Sequence, residues 1–499
     1  VLDHPQVSLV HAICTMGGAM ASLVDQSTNG TFVNGQRVVG QRTLQNGDRI
    51  RIASFELMFE GGRLVQYDQT RRARLDALHL CRVLDDGASI LHDVTFSALP
   101  RDMIAIVGAS GAGKSTLMDA LNGYRPATTG TVLVNGRDYY REFAALRLLM
   151  GYVPQSDVVH RELTPERALD FAAHLRLPSD TAKAERATRV QAVLEEVDLT
   201  DRQHVPIGQL SGGQIKRVSI GVELLTRPSL FFLDEPTSGL DPGYEQRIME
   251  LLRSLANQGR TVMLITHATQ NIELCDHVAC MAPGGYLAYF GPPRLALPYF
   301  DCTGYPGIYA RLHQEDGEAL ASRFRQHQAY REHVQARLPD TPAIEVAAAP
   351  AAVTAPADSP LPAWRQFTTL VHRYLETIVL DQRNLYLLLL QAPIIGIMAI
   401  FIAKRNIFYS LPDANDSRGL LVVLSCSMIW LGTINAAREI VKELPVYRRE
   451  RMVGLGLLPY LASKYVVLGA LCLLQAAMLL GIVGLRARIT ADGLLLPGP

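Results

Sequence analysis

Residues 108–116 of this 499-residue chain read GASGAGKST, with the apolar run MIAIV at 103–107 before them and LMDAL at 117–121 after. Apolar run, glycine loop and helix-forming stretch in that order predict a buried strand turning sharply into a helix. The spacing is G-x-x-x-x-G-K-[ST], and each fixed residue has a physical task. Gly108, Gly111 and Gly113, with Ala109, Ser110 and Ala112 between them, let backbone N–H groups close round phosphate oxygens. Lys114 reaches the β/γ-phosphates, and Ser115, followed by Thr116, can hold Mg²⁺. The helix opening near Lys114 adds its positive dipole end. A plain glycine turn ahead of a core helix shares this spelling, so the rest of the chain has to decide.

A chain this long is too large for one core, and two to four domains are expected. Hydrophobic residues make up 48%, and the apolar excess collects after residue 384. Lys+Arg and Asp+Glu balance at 48 each, so no global basic field argues for nucleic acid. The seven cysteines (14, 81, 275, 280, 302, 426, 472) show no C-x-x-C pair and no zinc spacing. They read as reduced thiols of core or membrane. The sequence opens on Val1 with no signal-peptide pattern and is expected to be a fragment at that end.

In the first sixty residues short apolar runs (7–13, 31–33, 49–52, 55–59) alternate with turn signals at Gly17-Gly18, Asn29-Gly30, Asn34-Gly35 and Asn46-Gly47. Four such turns predict an all-β meander or sandwich. Val7-Ser8-Leu9-Val10-His11 resembles the S-x-x-H segment of a forkhead-associated (FHA) domain. The stretch STNGTFVNG at 27–35 resembles its central turn, and LQNGDRI at 44–50 its closing hairpin. The resemblance covers residues 1–65, a partial FHA sandwich, and implies phosphothreonine-peptide binding. Ser8 would then contact the phosphate, Asn29 would hold the peptide backbone and His11 would brace the loop. The family's arginine upstream of the serine would precede Val1, and Leu9 stands where a basic residue is usual.

From residue 75 to about 305 strands and helices alternate, predicting an α/β domain with a mostly parallel sheet. The run LFFLDE at 230–235 is a buried strand that delivers two carboxylates to its carboxyl end. Asp234 can enter the Mg²⁺ shell, and Glu235 can orient or activate a water. Between loop and strand lies Leu210-Ser211-Gly212-Gly213-Gln214, a helix start able to present a second phosphate-binding surface. LSGGQ resembles the signature of ATP-binding cassette (ABC) ATPases, and the other elements of that family follow in order. Gln155 resembles the Q-loop glutamine, the stretch 238–241 the D-loop, and His267, closing the strand 262–266, the switch histidine. Near 80–84, where the family often has an aromatic for the adenine, this chain has LCRVL. The resemblance implies ATP and Mg²⁺ as ligands, with Ser115, Gln155 and Asp234 at the metal. It also implies catalytic roles for Lys114, Glu235 and His267, and a nucleotide capped by Ser211, Gly212, Gly213 and Gln214 of a second subunit. The segments LTPERALDFAA at 163–173 and KRVSIG at 216–221 resemble the G-type (White-like) exporters, which carry the ATPase before the membrane domain.

Residues 306–362 read as a helical extension and an Ala/Pro-rich linker (341–362). From Trp364 an apolar stripe with Arg365, Arg373 and Arg383 beside it suits an interfacial connecting helix over 363–384, or a packed soluble helix. Three uncharged stretches, 385–403, 419–437 and 465–485, are each long enough to span a bilayer within a membrane domain at 385–499. The connector 438–464 is rich in Arg and Lys, which places it on the cytoplasmic side. It resembles the intracellular loop that docks on the ATPase in G-type exporters. The fold class expected is therefore multidomain: FHA sandwich, α/β P-loop ABC ATPase and α-helical transmembrane domain. The whole resembles a bacterial FHA-containing ABC half-transporter, truncated at both ends, in the cell membrane with its first two domains cytoplasmic. Its expected partners are a second copy or a related half-transporter, membrane lipid, and a phosphothreonine protein made by a Ser/Thr kinase, with no nucleic acid. A soluble or regulatory ABC ATPase not engaged in transport is the alternative.

Overall fold

In a computed structural model, residues 2–17, 20–67, 73–339, 361–402 and 414–485 are described. The linker at 341–362 lies outside them except for its last two residues, as do 486–499 and part of the basic connector at 71–74. Two compact units are present, one of residues 1–159 with 164–361, the other of 160–163 with 362–499.

The first unit opens with two antiparallel sheets. Strands Ala12–Gly17, Met20–Asp25 and Gln41–Leu44 form one, and Gln36–Arg37, Thr31–Val33, Arg49–Ile52, Phe55–Glu60 and Arg63–Tyr67 the other. Alternation puts Leu23, Leu44, Val33, Ile50 and Phe59 into one shared core. The apolar run at 7–13 is not one strand: residues 5–10 turn and bend, and the strand begins at Ala12. That turn keeps Ser8 on a loop.

A ten-stranded sheet follows, in which Met103–Gly108 lies between His277–Ala282 and Thr261–Ile265. The order continues through Leu230–Asp234 to Met150–Val153, all parallel. Such strands are covered on both faces, which is why Ile104, Ile106, Phe231, Phe232, Leu233 and Leu264 are all fully buried. The helix Lys114–Leu121 packs Leu117, Met118, Ala120 and Leu121 onto this sheet. Because the strands are parallel, the residues just beyond 108, 153, 234 and 265 emerge along one edge, where open α/β sheets place their ligands.

Among its described residues the second unit has four helices, Ala363–Leu380, Gln382–Ile402, Ala414–Met452 and Leu457–Gly484. Three carry windows apolar and long enough to cross a membrane, Gln382–Phe401, Ser417–Arg451 and Leu457–Gly484. Phe401, Leu458 and Leu473 face outward, the side that lipid would cover. The connector at 438–464 is not a loop. Helix runs through it to Met452 and resumes at Leu457. Its charges pair inward: Arg373 forks onto Glu450, with Nη2 to Oε2 at 2.9 Å, and Lys464 pairs with Glu443. Arg373 is 3% exposed, so it does not lie on a polar face of an interfacial helix. The segment 160–163 belongs to this unit, Glu162 accepting from Lys442 Nζ at 2.7 Å.

Candidate nucleotide site

The loop at 108–113 takes its shape from glycines where a side chain could not fit. A Cβ at Gly108 (φ 151°) would stand 2.3 Å from the Met281 carbonyl oxygen, and one at Gly113 (φ 80°) 2.8 Å from that of Ile90. Gly113 caps the helix Lys114–Leu121 without any side-chain bond, so the first N–H groups of that helix are left for a ligand. Lys114, 7% exposed, folds back over the loop and donates to the Gly108 and Ala109 carbonyls at 2.9 and 2.7 Å. Burial lowers its proton affinity, while Glu235 and Asp234 act to raise it. Ser110 and Ser115 are exposed beside it.

Three other strand ends bring their residues to the same edge. Gln155 Nε2 donates to Glu235 Oε2 at 2.8 Å, and His267 Nε2 lies 3.1 Å from Glu235 Oε1. Glu235 itself has φ +47°, a left-handed backbone that costs a non-glycine residue energy and recurs at functional sites. Asp234 precedes it, and its carboxyl is pushed up to about 6, first by burial, then by the charges of Glu235 and Asp119. Asp119 is raised in its turn, by burial. Lys114, Gln155, Asp234, Glu235 and His267 thus form one cluster.

The two carboxylates of Asp234 and Glu235 with the carbonyl oxygen of the Gln155 amide beside them give oxygen donors that suit a small hard cation. Among the described residues no group of three or more His, Cys, Asp or Glu could hold a metal.

Ser211, Gly212, Gly213 and Gln214 stand elsewhere, at the head of the helix Gly212–Leu224. Ser211 and Gln214 cap it reciprocally: Gln214 N donates to Ser211 Oγ at 3.4 Å, and Ser211 N to Gln214 Oε1 at 3.0 Å. No hydrogen bond among the described residues joins either side chain to the cluster. Lys216 makes the connection instead, two residues on. It is 2% exposed, and its Nζ donates to the Gln155 carbonyl at 2.9 Å and pairs with Asp157 at 2.9 Å. Sequence reasoning did not single out Asp119, Asp157 or Lys216 for the site. A lone buried lysine in the second turn of that helix gives no periodic signal, and Asp119 is hidden among the polar positions of its helix.

In the N-terminal sandwich the two loops named from the sequence do meet. Thr28 N donates to Ser8 Oγ at 3.1 Å, Asn29 Nδ2 to the Gln6 carbonyl at 2.8 Å, and Ser8 N to His11 Nδ1 at 3.1 Å. Burial lowers the proton affinity of the His11 imidazole, which favours the neutral ring that this acceptor role needs.

The family model described as ABC transporter matches residues 91–238, and that described as FHA domain residues 1–53. An ABC transporter ATP-binding/permease protein of Mycobacterium tuberculosis is 37% identical over 468 residues, 92% of this chain and 52% of that protein. ABC transporter G family member 28 of Arabidopsis thaliana is 37% identical over 224 residues, 43% of this chain and 20% of the relative. The broad substrate specificity ATP-binding cassette transporter of Mus musculus is 34% identical over 276 residues, 54% and 41% of the two. The chain thus spans about half the length, or less, of these curated relatives. The chain thus carries an FHA domain and an ABC transporter domain, in that order, ahead of a run of long apolar helices, and over them it is similar to ABC transporters that include members of the G family.

Proposed function

We propose that the chain belongs to a half-transporter that uses ATP hydrolysis to export a lipid or other amphipathic molecule. The observation that carries this is the gathering of Lys114, Gln155, Asp234, Glu235 and His267 at one sheet edge of a chain that also holds three membrane-length helices.

Lys114 exchanges its carbonyl partners for the β/γ-phosphates of ATP, and the free N–H groups behind Gly113 take the remaining oxygens. Ser115, Asp234 and Gln155 would hold Mg²⁺, which when bound neutralises phosphate charge. Glu235 accepts a proton from the attacking water, oriented by Gln155 on one oxygen and His267 on the other. Ser211, Gly212, Gly213 and Gln214, free of the cluster in their own chain, close over the nucleotide of a second copy or of a related half-transporter. Segment 160–163, five residues beyond Gln155, belongs to the helical unit and links nucleotide closure to it. A mostly apolar cavity of about 540 Å³ between Gln391, Ile395, Cys426, Trp430 and Leu431 suits an amphipathic cargo. The three apolar helices span the cell membrane, with the FHA and ATPase domains in the cytoplasm. Ser8 and Asn29 recognise phosphothreonine on a partner made by a Ser/Thr kinase.

The test is flux of a labelled phospholipid in proteoliposomes carrying the full-length protein with Mg²⁺ and ATP. Movement that needs ATP and vanishes in Lys114→Ala is expected, and flux indifferent to both would sink the exporter reading.

A further inference from the structure

The loops that carry Ser8 and Asn29 are already in use. Asp180 Oδ2 accepts from the Leu9 backbone N–H at 2.7 Å. One residue earlier, Ser179 N donates to Thr28 Oγ1 at 3.0 Å, and the two hydroxyls lie 3.0 Å apart. Both Ser179 and Asp180 come from the stretch LPSD at 177–180, which follows the helix Pro165–Arg176 of the ATPase. Ser8, Thr28 and Asn29 are 5%, 9% and 7% exposed, too covered to meet a peptide without some movement. Close by, Asp3, His4 and Pro5 share a cavity of about 310 Å³ with Leu177, Thr181 and Arg189. Burial, then Arg227, lowers the proton affinity of His4, so the sandwich rests on the ATPase through more than one contact.

We infer that Asp180 stands in for phosphate on the FHA recognition loops, and that a phosphothreonine peptide binds by displacing the 177–180 segment. The inference rests on the reading of those loops as phosphothreonine-binding. A carboxylate and a phosphate monoester ask for the same donors, backbone N–H and hydroxyl groups, but the phosphate brings about −1.5 to −2 charge and three acceptor oxygens at neutral pH. Being in the same chain, Asp180 competes at a high effective concentration. A ligand of higher charge therefore wins only above a threshold.

Displacement has an address in the ATPase. Arg176, the last residue of the helix before the segment, forks onto Glu223 of the helix Gly212–Leu224 at 2.7 and 2.9 Å, both side chains buried. That helix begins with Ser211–Gln214. A peptide that pulls 177–180 off the sandwich frees the end of a helix bonded directly to the one presenting the signature residues.

The experiment titrates the full chain in lipid nanodiscs with a fluorescent degenerate phosphothreonine peptide library, and with its unphosphorylated twin. Alongside it, amide exchange is followed over residues 7–11 and 27–30. Asp180→Ala is expected to bind the phosphorylated library about tenfold tighter than the parent chain, the scale of one charge-assisted bond removed from the competition, and to exchange faster at 7–11. Equal affinity, or unchanged exchange, overturns the displacement and leaves phosphothreonine recognition standing. If neither chain prefers the phosphorylated library, phosphothreonine recognition itself fails and the inference goes with it.

Discussion

Glu235 and Gln155 are joined by a 2.8 Å hydrogen bond from the amide nitrogen to Oε2, while the other carboxylate oxygen faces His267 at 3.1 Å. Both carboxylate oxygens are thus held by groups that orient them. Glu235→Gln can still accept from Gln155 but cannot take a proton from water. Phosphate release from Mg²⁺-ATP is expected to drop roughly 100- to 1,000-fold, with ATP retention on a filter assay unchanged. Turnover at the parent rate would remove Glu235 from its proposed role.

Asp234 gives a pH signature. Its carboxyl sits at about 6 in the folded chain, against an ordinary 3.8. The folded state therefore holds the proton more tightly than the unfolded state. Its contribution to stability is complete below about pH 4 and is lost as pH rises through 6. In chelator without nucleotide, the melting temperature of Asp234→Asn relative to the parent should climb between pH 4 and 6.5 and then level off. A difference independent of pH would contradict the assignment.

Lys216 closes two polar groups at once, the Gln155 carbonyl and the Asp157 carboxylate. Lys216→Met leaves both unpaired. Asp157 keeps some access to water, so the cost is expected at about 2–3 kcal/mol, short of that for a wholly buried pair. Urea unfolding of the full-length protein in detergent measures it, and a loss under about 0.5 kcal/mol, the level of an ordinary surface change, would mean that the bonds matter little.

Arg373 lies between Glu450 and Glu443, nearly without water. Replacing it by Met strands carboxylates and should cost about 3 kcal/mol or more. Adding Glu450→Gln removes one stranded charge, so the double variant should melt above the single one in detergent. The reverse order would show that the charges are not the source of the loss.

Much of the nucleotide cluster could be read from spelling, because glycine spacing and carboxylates after an apolar run are local signals. LFFLDE announces both a buried strand and what it delivers. The partial FHA sandwich was legible for the same reason, since Asn-Gly turns dictate hairpins wherever they fall. What stayed hidden depends on pairing across the chain. Residues 438–464 look like a loop because charges interrupt the apolar window, yet Arg373–Glu450 and Lys464–Glu443 neutralise one another and the helices run on. Likewise LPSD looks like an ordinary helix exit, and only the fold shows Asp180 on the Leu9 amide.

The helix Ala414–Met452 has 39 residues, which at 1.5 Å each make about 58 Å, close to twice the hydrocarbon thickness of a bilayer. At the tilts usual for membrane helices, up to about 40°, roughly a third or more of it must stand clear of the lipid tails. The part that carries Lys442, Glu443 and Glu450 is bonded to Glu162, Lys464 and Arg373, so it is clamped rather than loose. A stiff rod gripped at one end converts a small swing there into a larger sweep at the other, as an oar does about its rowlock. Pro445, the helix's single proline, falls within the gripped stretch, where the missing hydrogen bond lets the shaft bend without breaking.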